Sequence, residues 1–113
     1  MVKKYIPNQG DIVFLDFNPT KGHEQSGYSP AIIISNNTFN KYTGMIIVCP
    51  ITSNIKDYPT HYQLEDTIKV KGSVLCEYIR SIDYEKRNVK FVEKTTENDF
   101  ISIITLMNAC IEN

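Results

Sequence analysis

The sequence has no tryptophan and no surplus of charge: 12 Lys and Arg against 13 Asp and Glu give a net charge of -1 over 113 residues. With no global positive field, any polyanion would have to be met by a local patch. Cysteine is scarce. Cys49, Cys76 and Cys110 are an odd number without metal-ligand spacing, which weighs against a disulfide framework or a metal cluster. Each lies in an apolar run, so reduced, buried thiols in a cytoplasmic protein are expected. No apolar run is long enough to span a membrane, and the N-terminus lacks a signal-peptide core. There is no internal repeat, low-complexity tract or linker, and one domain over residues 1–113 is expected.

What is present is organised around a polar, glycine-containing stretch, Asp16 to Pro30, between the apolar runs Ile12–Phe17 and Ala31–Ile34. It places Lys21, His23, Glu24 and Gln25 within a few residues of one another. Long loops between strands of a compact domain are usually functional or disordered, and this density of acid, base and imidazole argues for the wall of a catalytic groove. A second polar loop, Thr52 to Pro59, follows a third apolar run, Met45–Ile51, expected to stop near Pro50. Strands are expected over Ile12–Phe17, Ala31–Ser35, Met45–Ile51, His61–Leu64, Ser73–Ile79 and Val89–Glu93. Arg80–Asp83 reads as a lead into a turn. A short helix capped at Asn36–Thr38 should end by Gly44. Thr95 to Asp99 carries capping hydroxyls and early acids. Phe100, Ile103, Ile104, Met107, Cys110 and Ile111 then recur at helical steps, predicting one amphipathic terminal helix. Many short strands closed by one helix give an α+β small barrel.

At GDIVFLDFNPTKGHEQSGYSPAIIIS the chain resembles the N-terminal signature of the MazF/PemK toxin family, the toxin halves of toxin–antitoxin pairs. NKYTGMIIVCPITSNIKDYP, GSVLCEYIRSID and the terminal helix continue the resemblance over nearly the whole chain. It implies an SH3-like β-barrel of the CcdB/PemK-like kind, with short helices and a C-terminal amphipathic helix, assembled as a homodimer. Ile101 and Leu106, off the Phe100–Ile104–Met107–Ile111 line, fit a second apolar contact there. It further implies a sequence-specific endoribonuclease that cuts single-stranded mRNA without metal or cofactor, halts translation, and is held by an acidic cognate antitoxin.

In the family pattern Gly27-Tyr28-Ser29-Pro30 reads Gly-x-Arg-Pro with a catalytic Arg, so Ser29 departs from it, and impaired cleavage is expected. An arginine fork matches phosphate oxygens in pairs and stays charged; a serine hydroxyl does neither. The second catalytic group of the family falls on Thr52, whose structural alternative is to cap its own loop. Glu24 is a candidate base, or a solvated loop acid. His23, Lys21, Gln25, Ser53 and Lys56 are candidate RNA contacts. Tyr28 and Tyr58 are candidate stacking platforms, since single-stranded RNA is read by stacking and by hydrogen bonds to base edges; Phe17 is expected in the core. Glu77 and Arg80 read as a structural ion pair. The alternative function is a non-catalytic barrel that binds antitoxin, RNA or a gyrase-type protein target.

Overall fold

A computed structural model describes residues 5–17, 27–54 and 57–112. Seven strands and two helices follow in the order β1 (Asp11–Asp16), β2 (Tyr28–Ile33), α1 (Asn37–Thr43), β3 (Met45–Thr52), β4 (His61–Gln63), β5 (Ser73–Leu75), β6 (Arg80–Asp83), β7 (Lys90–Lys94) and α2 (Glu97–Ile111). All pairings are antiparallel, in the order β4-β5-β3-β2-β1-β7, with β6 on β3.

Side chains alternate across a strand, and here the alternation feeds two cores. Ile12, Ile32, Cys49, Ile51 and Val74 face α2, where they meet Ile103 and Met107. Val13, Leu15, Phe17, Ala31, Ile33, Ile46, Val48 and Ile82 form the second cluster on the opposite face. Each fully buried Val, Leu, Ile or Phe contributes about 1.5–3 kcal/mol, so these two clusters hold the sheet.

The expected closed barrel is not formed by hydrogen bonds. Among the described residues the outer strands β4 and β7 do not pair with each other. A side chain spans part of that gap: the Glu93 carboxylate on β7 accepts from the N–H groups of Ile68, Lys69 and Val70 at 2.9, 2.8 and 2.7 Å. Burial alone would raise this carboxyl, but the three backbone donors outweigh it and hold it below the usual range.

Several boundaries differ from expectation for identifiable reasons. β3 runs past Pro50 to Thr52, because the missing proline N–H falls where β3 changes partner: pairing with β2 ends at Ala31↔Pro50, and pairing with β5 begins at Ile51↔Val74. β5 ends early at Leu75, where Cys76–Tyr78 tightens into a 3-10 turn. Arg80–Asp83 is a strand rather than a lead into a turn, with Ile82 buried and paired to Ile46. Cys49 and Cys76 are buried as expected, but Cys110, in the last turn of α2, is exposed, although it lines a surface cavity with Cys76 and Met107.

α1 begins at Asn36, whose side chain accepts from the Phe39 N–H, and ends at Gly44 in the left-handed conformation. α2 begins at Thr96, which accepts from the Asp99 N–H. No helix among the described residues is long and apolar enough to cross a membrane.

Candidate functional site

The face of β3–β5–β4 turned away from α2 carries the alternate residues: Thr52 at the end of β3, Leu75 on β5 and His61 on β4. They line an open cleft of about 380 Å³, together with Asn54, Tyr58, Glu77 and Tyr78. Thr52 is partly exposed, and its Oγ1 accepts from the Asn54 N–H at 3.1 Å, which orders the start of the second polar loop. Gly72 makes this corner possible. A Cβ there would lie 2.3 Å from the Thr52 carbonyl oxygen, and its φ of +141° is unfavourable to other residues.

At the other rim the Glu77 carboxylate is held from two sides. Thr60 donates its hydroxyl at 2.8 Å, and His61 Nε2 lies 2.7 Å from the other oxygen. Burial pushes this carboxyl up, but its own backbone N–H, Thr60 and His61 together bring it below the usual carboxylate range. An ionised carboxylate only accepts, so Nε2 carries the proton and Nδ1 is the bare nitrogen of neutral His61. That Nδ1 is buried and has no partner among the described residues. The Tyr58 ring lies against the imidazole, with centroids 5.0 Å apart and planes 38° apart.

Of the residues singled out in the sequence, Thr52 and Tyr58 meet in this cleft. Ser29 lies on β2, 8% exposed, its hydroxyl buried without a partner among the described residues. β2 and β3 pair at Ala31↔Pro50, Ile32↔Cys49 and Ile33↔Val48. Continuing that register by two residues sets Ser29 opposite Thr52 and on the same face of the sheet. Tyr28 does not line the cleft; it is half exposed and packs on Phe14 at 5.6 Å. Ser53 is exposed beside Thr52 and also stays outside the lining. Phe17 is fully buried in the second core cluster. Lys21, His23, Glu24, Gln25 and Lys56 lie outside the described residues.

The expected Glu77–Arg80 ion pair is replaced by two other contacts. Glu77 turns to His61, and the Arg80 guanidinium sits 5.5 Å from the Phe17 ring centroid. Asn54, His61, Glu77 and Tyr78 were not readable as site residues. The signal that could have found His61 is its titratable imidazole beside Tyr58-Pro59 of the second loop. Among the described residues no group of His, Cys, Asp and Glu could hold a metal ion.

Residues 8–109 match the family model described as the PemK-like, MazF-like toxin of type II toxin–antitoxin systems. The endoribonuclease toxin MazF of Escherichia coli (strain K12) is 38% identical over 87 residues, covering 77% of this chain and 78% of that protein. Among solved structures, MazF from Deinococcus radiodurans superposes with a TM-score of 0.89 at 31% identity, covering 96% of this chain and 98% of that one. A MazE-MazF structure from the same organism gives 0.83 at 27% identity, covering 96% and 97%. With the model spanning nearly all of the sequence and the fold shared from end to end, this chain belongs to the PemK-like, MazF-like family of toxins from type II toxin–antitoxin systems.

Proposed function

We propose that this chain, as one domain over residues 1–113, is a sequence-specific endoribonuclease that cuts single-stranded mRNA in the Thr52 cleft and so inhibits translation. The observation that carries this reading is Thr52 itself: the family's second catalytic position stands partly exposed on the rim of an open cleft, just past the end of the β2–β3 pairing that runs on toward Ser29. The reaction needs no metal. The RNA 2′-hydroxyl attacks its own phosphodiester, Thr52 donates to a phosphate oxygen, and the products are a 2′,3′-cyclic phosphate and a 5′-hydroxyl. Tyr58, half exposed at the rim, offers a ring on which a base can stack.

Ser29 limits the rate. A neutral hydroxyl buried in β2 cannot supply the charge of the family arginine to a phosphorane, and losing one preorganised donor costs about 100–1,000-fold. The chain works as a homodimer in the cytoplasm and is neutralised by an acidic antitoxin. Ile101 and Ile111, 55% and 74% exposed on α2, supply apolar surface for one of these contacts. A chain of the same fold is solved in MazE-MazF structures.

Incubation of this chain and Ser29→Arg with a long single-stranded RNA in EDTA tests the reading. Ser29→Arg should cut at least about 100-fold faster. If a folded Ser29→Arg protein binds the RNA yet leaves it whole, the non-catalytic binding reading replaces this one.

A further inference from the structure

We propose that His61 is the proton-transfer residue of the cleft, taking the 2′-hydroxyl proton on Nδ1 while Glu77 positions the ring. This rests on the nuclease reading above and adds to it the group that performs the acid–base step.

The arrangement separates two roles. Glu77 is engaged on both sides: Thr60 and His61 each hold one of its two oxygens. A carboxylate engaged on both oxygens, with its acid form disfavoured, is a poor base but a good holder for an imidazolium. His61 is the reverse. Its Nε2 is engaged, its side chain is only 12% exposed, and its buried Nδ1 has no partner among the described residues, in a ring that lines the same cleft as Thr52. A buried imidazole nitrogen with no partner costs free energy, and a nitrogen that must accept a proton has to be kept bare in this way. Imidazole is also the side chain whose ordinary charge change falls near neutral pH. The titratable side chains lining the cleft with it, among the described residues, are Glu77 on the 3-10 turn, Tyr78 beside it and Tyr58 on the loop. Of these Glu77 alone is hydrogen-bonded to the ring. The half-exposed Tyr58 ring packs against the imidazole, and because Nδ1 is buried the cleft has to open locally for an RNA ribose to reach it.

The step balances without a co-reactant. The 2′-oxygen forms its bond to phosphorus as its proton passes to Nδ1. The P–O5′ bond breaks, the 5′-oxygen takes a proton from water, and His61 returns its own proton to water. The imidazolium formed in between is held by the Glu77 carboxylate 2.7 Å from Nε2.

Cleavage is measured in the Ser29→Arg background across a pH series. General acid–base groups contribute about 100–10,000-fold, so His61→Gln should lower kcat at least about 100-fold with little change in KM. The limb of the pH profile set by the imidazole should vanish with it. Glu77→Gln should move that limb to lower pH, because the imidazolium loses its counter-charge. Added imidazole should restore part of the activity to His61→Ala. A folded His61→Gln protein with an unchanged rate and pH profile would overturn the proposal while leaving the nuclease reading intact. Should His61→Gln fail to fold, an unmoved limb in Glu77→Gln would overturn it equally. If Ser29→Arg itself cuts nothing, the proposal and the nuclease reading fall together.

Discussion

The carboxylates of Asp99 and Glu77 are each held in a set of hydrogen bonds in a different region of the molecule, and they differ in what is left over. At the start of α2, Asp99 is fully buried and accepts from the Tyr62 hydroxyl at 2.6 Å and from the N–H groups of Glu65 and Asp66 at 3.3 and 3.0 Å. Burial, and then this bond to Asp99, push the Tyr62 phenol up to about 12. Every partner there is satisfied, and the result is a tie between β4, the loop after it and the helix. In the cleft, Glu77 is also held on both oxygens, yet its partner His61 keeps a buried nitrogen with no partner among the described residues. A complete network stabilises and specifies a fold, whereas an incomplete one bordering a cleft is where chemistry can be done.

The sharpest way to break this comparison is to remove each carboxylate. Asp99→Ala strands a phenol and two backbone donors and should cost roughly 3 kcal/mol, each orphaned group costing about 1–3 kcal/mol. That should appear as a fall in melting temperature of roughly 10 °C. The pH–rate profile of a Ser29→Arg background should not move. Glu77→Gln should do the opposite, shifting the profile while leaving the melting temperature within a few degrees. If the two variants behave alike in both measurements, the distinction between tie and site is false.

A smaller effect is expected at Glu93. Glu93→Gln weakens three backbone contacts and should cost about 1–2 kcal/mol. Because the folded protein holds this carboxyl below its unfolded value, its contribution is present above that value and is lost as pH falls through the folded one. Melting temperature should therefore decline as pH drops below about 4.5 and continue to fall. Glu93→Gln should flatten that decline. Equal slopes for the two proteins would show that the loop after β4 is held by other groups.

The sheet was legible because its central strands announce themselves by composition: Ile12 to Phe17, Ala31 to Ile34 and Met45 to Ile51 are β-branched or aromatic runs. α2 was legible from Phe100, Ile103 and Met107, of which Ile103 and Met107 are buried and Phe100 packs beside them. β6 was not, since Arg80-Ser81-Ile82-Asp83 gives its core one residue, Ile82, and its pairing with β3 is non-local. The same limit applied to the cleft. Thr52 and Tyr58 could be singled out within one loop, but Glu77 was matched to its sequence neighbour Arg80. Its real partner, His61, lies sixteen positions away and arrives through the His61↔Leu75 register of β4 and β5. Cys110 follows the helical period as well as Met107 does, yet in the last turn it is exposed. Periodicity gives a stripe but not where the underlying core stops.

The most direct test of the central claim, that RNA is cut in the Thr52 cleft by its own 2′-hydroxyl, is an analysis of the ends left on a single-stranded RNA by Ser29→Arg and by Ser29→Arg with Thr52→Ala, both in EDTA. The account predicts 2′,3′-cyclic phosphate and 5′-hydroxyl ends at a defined set of sequences from the first protein, and a loss of about 100-fold in rate from the second. Cuts that leave 5′-phosphate ends, or that continue undiminished without Thr52, would contradict it.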